Sequence, residues 1–162
     1  MKAMSDAIMI RELDPSDRAR FEEFFTDLGE FSTRMFNVGD GNKKLALSWF
    51  DGRAHGYAVF VAVEEKDGAQ RICGYYFLWD LHTAVPWFGI CVRDDSQGKG
   101  LGRALLVHAV EYARSGGYGG ILLITNLENL RAQKLYESVG FERLGVEHTG
   151  REYQYVLRFA AK

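Results

Sequence analysis

Residues 90–103 read Ile90-Cys-Val-Arg-Asp-Asp-Ser-Gln-Gly-Lys-Gly-Leu-Gly-Arg103, and the order of residue types here decides the fold. The apolar run from Pro86 to Val92 has the composition of a buried strand and closes on a charged turn, Arg93-Asp94-Asp95. Gly98, Gly100 and Gly102 follow. Leu101, Leu105, His108 and Tyr112 then recur at helical spacing, with Leu106, Ala109 and Val110 beside them. Strand, glycine loop and helix start together make an anion site. Main-chain N–H groups at a helix start have no carbonyl partners, the helix dipole favours negative charge, and glycine lets the anion approach the backbone.

Two familiar phosphate loops do not fit. A Walker loop requires Ser or Thr after Gly-Lys, and Lys99 is followed by Gly100. The dinucleotide pattern G-x-G-x-x-G requires glycine at Arg103 if it begins at Gly98, and at Leu105 if it begins at Gly100. What does fit is Gln97-x-x-Gly100-x-Gly102 after a strand ending in Val92. That pattern resembles the coenzyme A pyrophosphate loop of the GNAT N-acetyltransferase superfamily. The loop composition alone also suits a tight glycine turn capping a helix.

The chain of 162 residues suits a single domain spanning residues 1–162, and 47% apolar with 26% charged residues is ordinary for a soluble one. A net charge of −2 argues against a broad nucleic-acid surface, which needs a basic excess. Cys73 and Cys91 both lie in apolar runs without metal-ligand spacing, which predicts reduced core thiols. The polar start lacks the apolar region of a signal peptide, and no run is long enough to span a membrane. The expectation is a cytoplasmic protein without a membrane or nucleic-acid partner.

Ile8–Leu13 reads as a first strand, and Asp14-Pro15 as a helix start. Phe21, Phe24, Phe25 and Leu28 continue that helix towards a stop at Gly29. Two short helical pieces, Thr33 to Phe36 and Lys43 to Trp49, flank a loop from Asn37 to Asn42 and are expected to lie over a site, although the pattern suits a surface helical hairpin equally well. Ala58–Val63 and Ile72–Trp79 predict a hairpin with a polar loop over Glu64–Ala69. Ile121–Thr125 is an unbroken apolar run, the pattern of a strand buried on both faces. A helix over Glu128–Val139 stops at Gly140, and two closing strands, Phe141–His148 and Tyr153–Phe159, turn at Thr149-Gly150. The order predicts an α/β (α+β) fold, a mixed and mostly antiparallel sheet of about seven strands with about four helices. That is the order of a GNAT fold.

A second motif strengthens the resemblance. Asn129-x-x-Ala132 followed by Leu135-Tyr136-Glu-Ser-Val-Gly140-Phe141 is similar to the C-terminal signature of the same superfamily. Each residue also has an ordinary use: Asn129 as a helix cap, Tyr136 as a core aromatic, Gly140-Phe141 as a helix exit. The resemblance implies a direct transfer from acetyl-CoA, as cosubstrate, to a primary amine, with no metal. It implies that the main chain of Ile90, Cys91 and Val92 pairs with the pantetheine arm. The Gln97 motif with the amides of Gly98, Lys99, Gly100, Leu101, Gly102 and Arg103 would wrap the pyrophosphate. Asn129 would reach the thioester end, and Tyr136 would protonate the departing thiolate.

Two departures from the family pattern stand out. Proline is frequent where this chain has Asp94, and the strand segments Trp87–Cys91 and Ile121–Thr125 carry no carboxylate to serve as base. Asp80, His82, Glu128 or a water chain remain as proton sinks. Tyr75, Tyr76, Trp79, Trp87 and Phe88 form an aromatic group that suits a core or the wall of an acceptor pocket. A small-molecule amine or amino-acid-like acceptor is favoured, with a peptide or protein amine as the other option. The rival from another class is a non-catalytic acyl-CoA sensor on the same fold. Many family members pair through their closing strands, so a homodimer is compatible with the resemblance, although no residue specifies an interface.

Overall fold

A computed structural model describes residues 7–36, 42–52 and 56–160. Seven strands form one sheet in the order β1-β2-β3-β4-β5-β7-β6. They are β1 (Met9–Glu12), β2 (Ala58–Lys66), β3 (Ala69–Trp79), β4 (Trp87–Val92), β5 (Gly120–Asn126), β6 (Glu142–Val146) and β7 (Glu152–Arg158). Among the described residues five α-helices accompany them: α1 (Arg18–Thr26), α2 (Glu30–Met35), α3 (Asn42–Ser48), α4 (Leu101–Ser115) and α5 (Leu130–Val139). All neighbouring strands pair antiparallel except β4 with β5, which are joined by the crossover through α4.

Side-chain alternation along the strands divides the core in two. Tyr76, Leu78, Phe88, Val92, Ile121, Leu123 and Tyr155 face α4 and α5, where Leu101, Leu105, Leu106 and Ala109 fill the space above them. Ile72, Tyr75, Phe77 and Cys91 face the other way, against Phe21, Phe24 and Phe25 of α1 and Ala46 of α3. The three phenylalanine rings of α1 surround Tyr75 with centroids 5.0, 5.6 and 5.5 Å away. Each such buried ring contributes about 1.5–3 kcal/mol. The aromatic group read as one cluster therefore splits between the two faces, because neighbours in a strand point in opposite directions. Both cysteines are free and buried, and burial pushes the Cys73 thiol up to about 11.

Several boundaries differ from the sequence reading. The β2–β3 hairpin turns on Asp67-Gly68 alone, both at positive φ (52° and 78°), so the strands run on through the polar residues that read as loop. Pro15–Asp17 form a 3-10 turn before α1. α1 stops at Thr26, and Gly29 starts α2 rather than ending α1. α2 begins at Glu30, three residues before the expected Thr33. Of the expected loop Asn37–Asn42, all but Asn42 lies outside the described residues. β5 is not buried on both faces: Ile124 is 42% exposed, because the α1 layer stops short of the β5-β7-β6 half of the sheet. No helix among the described residues is long and apolar enough to cross a membrane.

Candidate active site

β4 and β5 part soon after they meet. Among the described residues the register joins them only at Trp87 and Leu122, where the Leu122 N–H donates to Pro86 O at 2.9 Å. Beyond that point the C-terminal half of β4 has an open edge. The Arg93 N–H donates to Cys73 O at 2.8 Å, so alternate residues, including Cys91, aim their main-chain groups at β3. Ile90 and Val92 aim theirs at the opening. Of the three strand residues named from sequence, Ile90 and Val92 turn their main chain to the opening, while Cys91 pairs with Tyr75 in the β3 ladder.

The opening leads into a cleft of about 690 Å³ bounded by Ile90, Val92, the glycine loop and the start of α5. Gly98 and Gly100 hold positive φ, 74° and 85°, and a Cβ built on either meets no atom within 4 Å. The loop therefore presents bare backbone to open space. The first intrahelical bond of α4 runs from the Ala104 N–H to Gly100 O at 3.1 Å. The amides of Leu101, Gly102 and Arg103 precede it, and Gly100 offers no side-chain cap. These donors, with Arg103 and Arg131 on the lining, are the donor set that a pyrophosphate requires. Lys99 is exposed and does not line the cleft. Arg131, whose guanidinium is 3.5 Å from Gln97 Oε1, was not anticipated from sequence.

Gln97 works as a brace. Its Nε2 donates to Val92 O at 3.0 Å and to Ser32 Oγ at 3.1 Å, which ties the loop to β4 and to α2. Asp94 adds a second tie, accepting the Gly29 N–H at 3.3 Å. In place of the proline's stiffness, this chain uses the carboxylate to seat α2 over the cleft. Phe31, 56% exposed, and Leu130, 64% exposed, stand at the mouth with apolar surface available to a ligand.

On the far wall Asn129 caps α5, accepting the Ala132 N–H at 3.3 Å, and it lines the cleft as well. The capping and lining uses coexist. Gln133, nearly buried, donates to Asn126 O at 3.2 Å and Leu127 O at 3.0 Å and accepts from Arg143 at 3.2 Å. Arg143 in turn donates to the Tyr155 hydroxyl at 3.1 Å. This network fixes the first turn of α5 and so the place of Tyr136, which is 4% exposed between Phe88, Phe141 and Tyr155. Burial, with smaller contributions from Tyr155 and Cys91, raises the Tyr136 phenol well above the ordinary tyrosine range.

A second, smaller pocket of about 220 Å³ opens on the α1 side of the sheet. Met35, Phe36, Ile90, Asn129 and Tyr136 line both spaces, so the two meet at the parted strands with Tyr136 at the junction. Of the three titratable groups proposed from sequence as proton sinks, Asp80 and His82 line neither space. Glu128 lines the larger one, where it is 70% exposed and 3.5 Å from Arg34. Among the described residues the carboxylate on the smaller pocket is Glu152, at the start of β7, which also lines an adjoining groove with Arg34 and Arg151. Nothing near it in sequence marks it out. It arrives because β7 inserts between β5 and β6 and sets Glu152 opposite Asn126.

Comparison with known proteins gives the family and the fold. The acetyltransferase (GNAT) domain family matches residues 55–143, and the chain belongs to that family as a GNAT superfamily N-acetyltransferase. It is 30% identical over 142 residues to the L-methionine sulfoximine/L-methionine sulfone acetyltransferase of Pseudomonas aeruginosa strain PAO1, covering 84% of this chain and 81% of that protein. It is 31% identical over 116 residues to the mycothiol acetyltransferase of Kocuria rhizophila, covering 68% of this chain but only 37% of that protein's length. The fold matches yncA from Salmonella typhimurium, described as an acetyltransferase with its cofactor acetyl-CoA, at TM-score 0.71 and 24% identity over 96% of each chain.

Proposed function

We propose that this protein moves an acetyl group from acetyl-CoA to a primary amine of a small molecule, with Tyr136 as proton donor to the leaving sulfur. The observation that carries the reading is the position of Tyr136 where the two spaces meet at the parted strands. The names of the relatives, acetyltransferases of mycothiol and of methionine sulfoximine, support a small-molecule acceptor. Acetyl-CoA supplies the activated acetyl thioester.

The chain's own groups then have separable tasks. Amides of the glycine loop and of the first turn of α4 hold the pyrophosphate, and Arg103 and Arg131 add charge. The main-chain groups of Ile90 and Val92 hold the arm as a partner strand would, although Val92 O already accepts from Gln97. Asn129 lies beside the reacting end. Tyr136 remains protonated at neutral pH because its phenol is raised. It holds its proton more tightly than an ordinary thiol, whose pKa is about 8.5. The hydroxyl therefore donates a hydrogen bond that strengthens as charge grows on the sulfur, and proton transfer completes as the phenol is resupplied from the amine.

Acetyl-CoA-dependent thiol release over an amine panel tests the reading, with the wild type and Tyr136→Phe compared. We expect kcat to fall about 10²–10⁴-fold in the variant while acetyl-CoA affinity holds within about threefold. Unchanged turnover overturns the role of Tyr136. Binding of acetyl-CoA by the wild type without release from any amine indicates an acyl-CoA sensor instead.

A further inference from the structure

One side chain forms the inner wall of the smaller pocket. Phe77 in β3 stands opposite Gly89 in β4, on the face of the sheet that carries α1. The neighbouring pairs on this face, Trp79 with Trp87 and Tyr75 with Cys91, have a side chain on both strands. At Gly89 the central strand is bare, and the Phe77 ring lies down over it. Its Cζ and Cε1 sit 2.1 and 2.4 Å from the point where a Cβ would stand. On one side the ring packs against Tyr57 and Tyr75, with centroids 5.8 and 6.2 Å away. On the other it lines the pocket. Phe77 is 5% exposed, so its ring is the boundary between the pocket and the core beneath α1.

This boundary falls at the reacting end. Gly89 directly precedes Ile90, whose main chain faces the opening between the parted strands, and both line the pocket with Tyr136. From this arrangement, and resting on the acetyltransferase reading above, we infer that Phe77 sets the bulk of the acceptor: its ring, laid over Gly89, holds the space that a ring on the substrate would otherwise take.

The reasoning is one of volume. Cores are close-packed, and an apolar cavity left by a truncated side chain stays dry and takes up a benzene-sized molecule. The recess left by a shortened Phe77 opens on the pocket and is backed by the rings of Tyr57 and Tyr75. A phenyl group on the acceptor then replaces the protein's own, and burying such a ring is worth about 10–100-fold in affinity. A Cβ added at Gly89 acts in the opposite sense, because it drives the Phe77 ring into the pocket. Two positions on different strands therefore shift acceptor selectivity in opposite directions through a single side chain.

Matched amines with and without a ring test the inference: benzylamine against propylamine, and 2-phenylethylamine against butylamine. The ratio of kcat/KM, ring-bearing over ring-free, is measured by thiol release for the wild type, Phe77→Ala, Phe77→Leu and Gly89→Ala. Phe77→Ala should raise the ratio about tenfold or more and Phe77→Leu by less, whereas Gly89→Ala should lower it. Phe77→Leu keeps much of the apolar packing and carries the test if the alanine variant does not fold. With coenzyme A present, 2-phenylethylamine should raise the Tm of the shortened variant more than that of the wild type. Ratios that hold within about twofold across the folded variants, or that move the same way in Phe77→Leu and Gly89→Ala, would overturn the inference. So would equal Tm shifts. A change seen only in acyl length, with propionyl-CoA and butyryl-CoA as donors and a constant amine ratio, would also overturn it, since the ring would then bound the donor's acyl group. Release from no amine would do the same; if acetyl-CoA still binds by calorimetry, that result leaves the donor site standing. Absence of acetyl-CoA binding in the wild type would sink the acetyltransferase reading itself.

Discussion

Replacing Gly89 by alanine isolates the smaller pocket from the rest of the molecule. A Cβ at this position lies 2.1 Å from Phe77 Cζ and 2.4 Å from Cε1. The ring must retreat about 1.5 Å to regain an ordinary carbon contact. Behind it stand Tyr57 and Tyr75, with ring centroids 5.8 and 6.2 Å away. The retreat is therefore into the pocket that Phe77 lines. Overpacking of this kind costs about 1–3 kcal/mol, and loss of glycine's unfolded-state entropy offsets about 0.4–1 kcal/mol of it. For a chain of this size each kcal/mol moves Tm by about 2–4 °C, so a fall of up to about 10 °C is expected. Steady-state kinetics should show a raised acceptor KM, and calorimetry an unchanged acetyl-CoA affinity. Adding Phe77→Leu, which removes the ring atoms in collision, should recover much of the Tm, and the coupling between the two changes measures the contact. An unchanged Tm with unchanged kinetics, or a loss confined to acetyl-CoA binding, would refute the reasoning.

Three further changes probe the donor side and the framework. Gly100→Ala meets no atoms but must hold φ at 85°, so it should cost about 1–2 kcal/mol of stability, read by denaturant titration, and weaken acetyl-CoA binding through the displaced amides. Gln97→Ala removes both ties between the loop, Val92 O and Ser32 Oγ, and amide exchange in α2 should speed up with the circular-dichroism spectrum unchanged. Asp17 is fully buried, which alone would raise its carboxyl. Hydrogen bonds from Arg11 and from the Asp14 amide outweigh this, with the charges of Arg11 and Arg20, and hold it below the usual carboxylate range. A lowered folded pKa contributes stability that is complete above the unfolded value near 4 and is lost as pH falls through the folded value. The Tm advantage of wild type over Asp17→Asn should therefore shrink between about pH 5 and pH 2; a constant gap would contradict this.

What the sequence made legible was whatever the chain settles locally. The β4–loop–α4 passage is contiguous, and its glycine spacing and helical periodicity point to one geometry. Asn129 and Tyr136 are separated by two turns of a single helix, so their common side was also readable. Non-local features were not. Ile121–Thr125 looks doubly buried from composition, yet whether a helix covers each face depends on how far the α1 layer reaches. The polar residues Glu64 to Lys66 read as loop because they lie where β2 is exposed, and only the φ values of Asp67 and Gly68 place the turn. Glu152 is one acid beside a turn until β7 inserts between β5 and β6. Asp94 showed itself as a departure from the family pattern, while its partner, the Gly29 amide, lies 65 residues away.

The central claim is that the parted strands, the glycine loop and Tyr136 form one donor site. A crystal structure of the protein with coenzyme A tests it most directly. The account predicts pyrophosphate oxygens on the amides between Gly98 and Arg103, the arm along Ile90 and Val92, and the sulfur within about 3.5 Å of the Tyr136 hydroxyl. Coenzyme A bound elsewhere, or seated in the cleft with its sulfur turned away from Tyr136, would contradict it.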